Sequence, residues 1–121
     1  MQKILIVEDD MFLQGLEAGK LQKSGYEIIS ARNGTEALTN VMQPGINLVL
    51  LDLMLPDVDG FEILENIKNN KALSHIPVIV FSNLSGEDDI KRAKKLGAVD
   101  YMVKSNFTLD ELVEHIRMVL K

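Results

Sequence analysis

Asp52 follows an apolar run, Leu48-Val49-Leu50-Leu51, and precedes Leu53-Met54-Leu55 and the turn-forming Pro56-Asp57-Val58-Asp59-Gly60. Two more apolar runs end on groups of complementary chemistry. Ile4-Leu5-Ile6-Val7 leads into Glu8-Asp9-Asp10, and Val78-Ile79-Val80-Phe81 leads into Ser82. A shorter run, Tyr101-Met102-Val103, ends in Lys104. Three carboxylates brought within a few ångströms repel one another, and one lysine leaves the group at about -2, so such a cluster takes up protons or binds a divalent cation. Neither His nor Cys accompanies these acids, which indicates a hard cation with oxygen ligands. Mg²⁺ (or Mn²⁺) suits a site of one or two carboxylates completed by a phosphate oxygen. An Asp beside such a cation can act as a nucleophile on phosphorus and form an aspartyl phosphate. Lys104 and the Ser82 hydroxyl are the kinds of donor that the equatorial oxygens of a transferring phosphoryl group require.

These groups work together only if the strands bring their ends to one place. Strand-like runs at 3–8, 27–30, 46–51, 77–82 and 99–103 alternate with helix-like segments. Their repeat of roughly 20–25 residues is that of successive βα units and predicts a parallel sheet covered on both faces. The expected fold is α/β: a doubly wound five-stranded parallel sheet, order 2-1-3-4-5, in a flavodoxin-like (βα)5 three-layer sandwich. Strand order then reverses between the first and third strands, and an open sheet of this kind binds ligands at that point, outside the carboxyl ends of the strands. Those two strands end in Glu8-Asp9 and in Asp52.

Helix boundaries follow from local signals. Asp10 caps the first helix, in which Leu13, Leu16, Ala18 and Leu21 are the expected apolar contacts, with Gly25 at its end. The second follows Asn33-Gly34 and buries Ala37, Leu38 and Val41. Asp59-Gly60-Phe61-Glu62 has the form of a capping box for the third, whose Phe61, Leu64 and Ile67 repeat at helical spacing. Ser85-Gly86-Glu87-Asp88 is a looser version for the fourth, which Gly97 closes. Thr108-Leu109-Asp110-Glu111 is a full capping box for the fifth, with Leu112, Val113, Ile116 and Leu120 facing inward. The second strand, Glu27-Ile28-Ile29-Ser30, is the most polar and belongs at a sheet edge.

With 121 residues the chain reads as one domain, 1–121, of ordinary globular composition, 46% apolar and 26% charged. A net charge of -5 argues against direct nucleic-acid binding, and the basic run Lys91-Arg92-Ala93-Lys94-Lys95 reads as a solvated helix face. The apolar runs are too short to span a membrane, and Met1-Gln2-Lys3 opens directly into the first strand without a secretory leader. Zero cysteines exclude disulfides and thiolate metal sites and agree with a cytoplasmic location. His75 and His115 lie on different elements and are given no metal role. Asp57 and Asp59 fall short of a calcium loop, because Leu55 stands where that motif needs Asp.

Ile4 to Asp10, Asp52 to Gly60 with Pro56, Ser82, Gly97-Ala98, and Tyr101 three residues before Lys104 are in order and spacing similar to a response-regulator receiver domain of bacterial two-component systems, over the whole chain. The resemblance implies Asp52 as phosphoacceptor, Asp9 as a direct Mg²⁺ ligand, Glu8 as a water-mediated one and the main-chain carbonyl of Met54 as a third. It implies that Ser82 and Lys104 contact the phosphoryl group. It further implies that Ser82 and Tyr101 act as the switch to the surface of the fourth helix, fifth strand and fifth helix. The implied partners are a histidine kinase or phosphotransfer protein and a downstream effector or output domain, with a homodimer through the last two helices as a further option.

The chain departs from that pattern at Ser105, where the family usually has Pro, often after a cis bond. A cis bond before Ser costs about 2.5–4 kcal/mol, so a trans Lys104–Ser105 peptide is expected. Asn83 stands where the family mostly has Ala or Gly, and its side chain is expected to narrow access to Asp52. Met54 and Leu84 cannot hydrogen-bond an attacking water, which predicts a long-lived phosphoryl group. Met11 and Phe12 are expected to pack at the rim, or to meet the kinase if exposed. The competing reading is a phosphorylation-independent interaction scaffold, which would not need the acids and the lysine. A phosphatase of the haloacid dehalogenase type needs Asp-x-Asp, and the second position here is Met54. A flavin site lacks a phosphate-binding loop after the first strand.

Overall fold

The computed structural model describes all 121 residues. Five strands alternate with five helices: β1 (Lys3–Val7), α1 (Met11–Lys23), β2 (Glu27–Ala31), α2 (Gly34–Asn40), β3 (Ile46–Leu51), α3 (Gly60–Asn69), β4 (Val78–Ser82), α4 (Glu87–Lys95), β5 (Asp100–Val103) and α5 (Leu109–Leu120). A single 3-10 turn, Lys104–Asn106, takes up the connection between β5 and α5. The strands form one parallel sheet in the order β2-β1-β3-β4-β5, as the sequence pattern predicts, with the polar β2 at an edge.

Side chains alternate across the strands, so each strand supplies both layers. Leu5, Val7, Val49, Leu51, Val78 and Val80 face α2, α3 and α4, and pack there with Ala37, Phe61, Leu64, Ile67 and Ala93. Ile4, Ile6, Leu48, Leu50, Ile79, Phe81 and Met102 face the other way and pack on Leu21 of α1 and Leu112, Val113 and Ile116 of α5. Strands buried on both faces need continuous apolar runs, which is the pattern the sequence carries.

The helix ends differ in how far the local signals hold. Asp10 caps α1 by accepting from the N–H groups of Phe12 and Leu13. Asn33 caps α2 through Glu36 N–H, and Thr108 and Glu111 form the full reciprocal box of α5. Asp59 caps α3 by accepting from Phe61 N–H, but neither arm of the expected box forms: its carboxylate does not reach the Glu62 N–H, and the Glu62 side chain is exposed. Ser85 does not cap α4, whose N-cap is Gly86 without a side-chain bond. Gly97 closes α4 at φ +114°, a left-handed conformation that favours glycine.

The inner face of α1 departs from expectation. Leu16 is 45% exposed, and Met11 and Phe12 are exposed rather than packed at the rim. Glu17 and Leu21 are the buried residues, with Leu13 and Ala18 half-buried. Rotation of the helix about its axis is set by its contacts with the sheet and α5, and apolar composition alone did not indicate it. Leu120 of α5 is half-buried.

Candidate functional site

β1, β3, β4 and β5 all end at the same side of the sheet, and each delivers one group. Val7 pairs with Leu51, so Glu8 and Asp52 emerge side by side; Asp52 N–H donates to the Val7 carbonyl at 3.0 Å. Ser82 pairs with Val103, which sets Lys104 one residue beyond it. Glu8, Asp52 and Ser82 are buried and Asp9 is exposed. Carboxylate oxygens of Glu8, Asp9 and Asp52 lie within 4.8 Å of one another.

Lys104 joins the two buried acids. Its Nζ stands 2.6 Å from Glu8 Oε1 and 2.7 Å from Asp52 Oδ2. The other oxygens are held by main chain: Glu8 Oε2 accepts from Asp10 N–H at 3.1 Å, and Asp52 Oδ1 accepts from Met54 N–H at 3.0 Å. Burial pushes the Glu8 carboxyl above the ordinary range, against the lowering effect of the hydrogen bonds from Lys104 and Asp10. Burial pulls the Lys104 ammonium down, but its bonds to Asp52 and Glu8 more than offset that and hold it above the usual lysine value. Lys104 therefore stays charged between Glu8 and Asp52. Three carboxylates facing one ammonium leave net negative charge, which suits a hard divalent cation.

Ser82 is fully buried, and its Oγ accepts from Leu84 N–H at 3.3 Å. Tyr101 is buried beneath α4, and its hydroxyl donates to the Leu84 carbonyl. Both residues thus meet at the loop that follows β4. Burial raises the Tyr101 hydroxyl above its ordinary value, with Asp89 and Asp52 adding to it. Met54 and Leu84 flank the site, the first 55% exposed and the second half-buried. Asn83 is exposed beside Ser82. The Lys104–Ser105 peptide is trans, as the absence of proline predicts. His75 is exposed, and His115 Nδ1 lies 2.7 Å from Asp100 Oδ2, away from the acids.

Sequence reasoning overlooked three features around this site. Gln14 sends its side-chain amide to the carbonyls of Glu8 and Ala31, at 3.0 and 3.1 Å, which fixes the segment carrying Glu8 and Asp9. Its place one turn into α1, just after the acids, is the signal that could have found it. Glu17, a turn further on, is buried with Oε1 unpartnered. Its carboxyl is pushed up to about 8, by burial first and then by Glu8, with Asp52 and Asp10 adding and Lys104 opposing. Asp57 binds the start of α2, a contact with no local signal.

The sequence model of the response regulator receiver domain family matches residues 4–117. The chain is 37% identical over 120 residues to the probable transcriptional regulator ycf27 of Porphyridium aerugineum, covering 99% of this chain and 48% of that protein. It is 38% identical over 116 residues to the transcriptional regulatory protein CrdR of Helicobacter pylori, covering 96% of this chain and 54% of that protein. The chain thus spans about half the length of the curated relatives it matches. Among solved structures, a CheY-like receiver domain protein from Methanospirillum hungatei superposes with a TM-score of 0.92 at 28% identity, covering 99% of this chain and 94% of that one. The Mn²⁺-bound form of the response regulator Rcp1 gives 0.85 at 34% identity, covering 98% and 91%. The match over almost the whole sequence, and the superposition on solved receiver domains, lead to one conclusion: the chain belongs to the response regulator receiver domain family.

Proposed function

We propose that the chain accepts a phosphoryl group on Asp52 from a histidine kinase or phosphotransfer protein, and that the group's presence alters the surface formed by α4, β5 and α5. The observation that carries this reading is the bridge of Lys104 between two buried acids, Asp52 and Glu8. A lysine side chain only 13% exposed, set between two buried carboxylates, is an expensive arrangement to keep for stability alone, since apolar packing serves as well. It is the arrangement a phosphoryl group can enter, by taking Lys104 from Asp52.

In the transfer, an Asp52 oxygen forms a bond to phosphorus as the bond from phosphorus to the donor's imidazole nitrogen breaks. The electron pair stays on that nitrogen, which takes up a proton. Met54 N–H holds Asp52 Oδ1 and limits rotation of the carboxylate. Lys104 pairs with the phosphoryl oxygens as they approach, and Ser82 turns its hydroxyl toward them, away from Leu84 N–H. Tyr101 responds because its hydroxyl shares the 82–84 loop through the Leu84 carbonyl. Asp9, Asp52 and the Met54 carbonyl would hold a divalent cation. Glu8 would reach it through water. Such an ion, Mg²⁺ or Mn²⁺, offsets the negative charge on the incoming phosphoryl group. The relative Rcp1, solved in a Mn²⁺-bound form, supports a divalent cation as the ligand.

The exposed Met11 and Phe12, next to the acids on α1, offer an apolar contact for the donor protein. Intact-mass measurement after incubation with acetyl phosphate tests the reading, with and without Mg²⁺, on the natural chain and Asp52→Asn. One Mg²⁺-dependent phosphoryl adduct, absent from Asp52→Asn, is expected. An adduct that persists in Asp52→Asn would overturn Asp52 as acceptor. No adduct from acetyl phosphate or a cognate kinase would favour the scaffold reading.

A further inference from the structure

Asp57 is exposed and lies outside the acid cluster, yet three donors converge on it. Oδ1 accepts from Gly34 N–H at 2.7 Å; Oδ2 accepts from Thr35 N–H at 3.0 Å and from the Thr35 hydroxyl at 2.7 Å. The Thr35 hydroxyl and the Gly34 N–H hold its carboxyl down to about 2, so the anion persists at any working pH. The two segments also touch without a gap: a Cβ on Gly34 would stand 2.6 Å from Val58 Cβ.

The helix does not need this carboxylate for its start, because Asn33 already caps α2 through Glu36 N–H at 2.8 Å. The bonds matter more to the other partner, the loop from Leu53 to Asp59. That loop is pinched at its base, where Gly60 N–H donates to the Leu53 carbonyl at 3.2 Å and a Cβ on Gly60 would stand 2.4 Å from Leu53 Cα. Its first turn is tied to Asp52 through Met54 N–H. Asp57 fastens the far end to an element 22 residues earlier in the chain.

We propose that Asp57 is a positioning residue of the phosphoacceptor loop: tying the loop tip to the start of α2 fixes the Met54 carbonyl and the Asp52 carboxylate for a divalent cation. This rests on the function proposed above. The role is indirect, since Asp57 touches neither the cation position nor Asp52, and its effect passes through the loop backbone.

Calorimetric titration of the full chain with Mg²⁺ tests it, on the natural protein, Asp57→Ala, Asp57→Asn and Thr108→Ala, with urea unfolding of each. Residues that orient metal ligands typically change affinity by 10- to 100-fold; acting one step further out, Asp57→Ala is expected to weaken Mg²⁺ binding about fivefold. Its phosphorylation rate with acetyl phosphate should recover at saturating Mg²⁺. Asp57→Asn keeps an acceptor for part of the set and should fall between. Thr108→Ala loosens α5 without touching the loop or the start of α2, and should lower the urea midpoint while leaving Mg²⁺ affinity unchanged. If Asp57→Ala binds Mg²⁺ as the natural protein does and only unfolds more readily, Asp57 is a helix cap and the inference fails alone. If the natural protein binds no Mg²⁺, the inference fails together with the proposed function.

Discussion

Replacing Glu17 by glutamine should stabilise the protein at neutral pH and leave it unchanged near pH 4. The side chain is buried in the layer beneath α1, 1% exposed, with Oε1 unpartnered. The groups that act on it are Glu8, Asp52 and Asp10, which oppose its ionisation, and Lys104, which favours it. Burial outweighs them all and pushes the native carboxyl from 4.5 up to about 8. Between those values the unfolded chain ionises and the native one stays protonated, so the unfolded state binds fewer protons and stability falls as pH rises. Each pH unit costs about 1.4 kcal/mol, which gives a penalty of about 3 kcal/mol at pH 7 and a plateau above pH 8. Glutamine has nearly the same shape and does not titrate, so the penalty disappears with it. At an m-value of roughly 1.5 kcal/mol/M the urea midpoint of Glu17→Gln should lie about 2 M above the natural protein at pH 7. Urea titrations from pH 4 to pH 8, followed by circular dichroism with a chelator present, read this directly. A gap between the two proteins that stays constant over that range would refute the argument, because it would mean that Glu17 has the same proton affinity folded and unfolded.

Lys104→Met leaves Glu8 and Asp52 buried without their shared cation, and should cost about 3 kcal/mol at pH 7. The loss should shrink in acid as the carboxylates protonate, and Mg²⁺ should raise the melting temperature of the variant more than that of the natural protein; equal Mg²⁺ effects would count against the bridge. Thr108→Ala removes one arm of the α5 capping box and should cost about 1 kcal/mol in urea unfolding, with phosphorylation by acetyl phosphate unaffected. Met54, 55% exposed beside Asp52, offers no hydrogen bond to an attacking water. The phosphoryl group should therefore be long-lived, and Met54→Asn should shorten its lifetime about tenfold, or about 1.4 kcal/mol of barrier. Decay followed by intact mass decides it, and loss within seconds in the natural protein would contradict the premise.

What the sequence determined by itself was carried by short-range signals. Apolar runs such as Ile4 to Val7 and Leu48 to Leu51 are long enough to mark strands buried on both faces, and the residue that ends each run falls at the strand end. Strand order then brought Glu8, Asp9, Asp52, Ser82 and Lys104 to one edge. Caps such as Asp10 and Thr108 were legible because the bonds they make close within three residues. Tertiary structure decided the rest. Glu17 faces inward while Leu16 and Phe12 face out, because the rotation of α1 is fixed by what it packs on and not by its own apolar residues. Glu62 makes no reciprocal bond, and the N-cap of α4 is Gly86 and not Ser85. Asp57 meets Gly34, and Lys104 meets both Glu8 and Asp52, across 23, 96 and 52 positions of chain. Which donor meets which acceptor over such distances depends on the assembled sheet, since no pattern within a few residues encodes it.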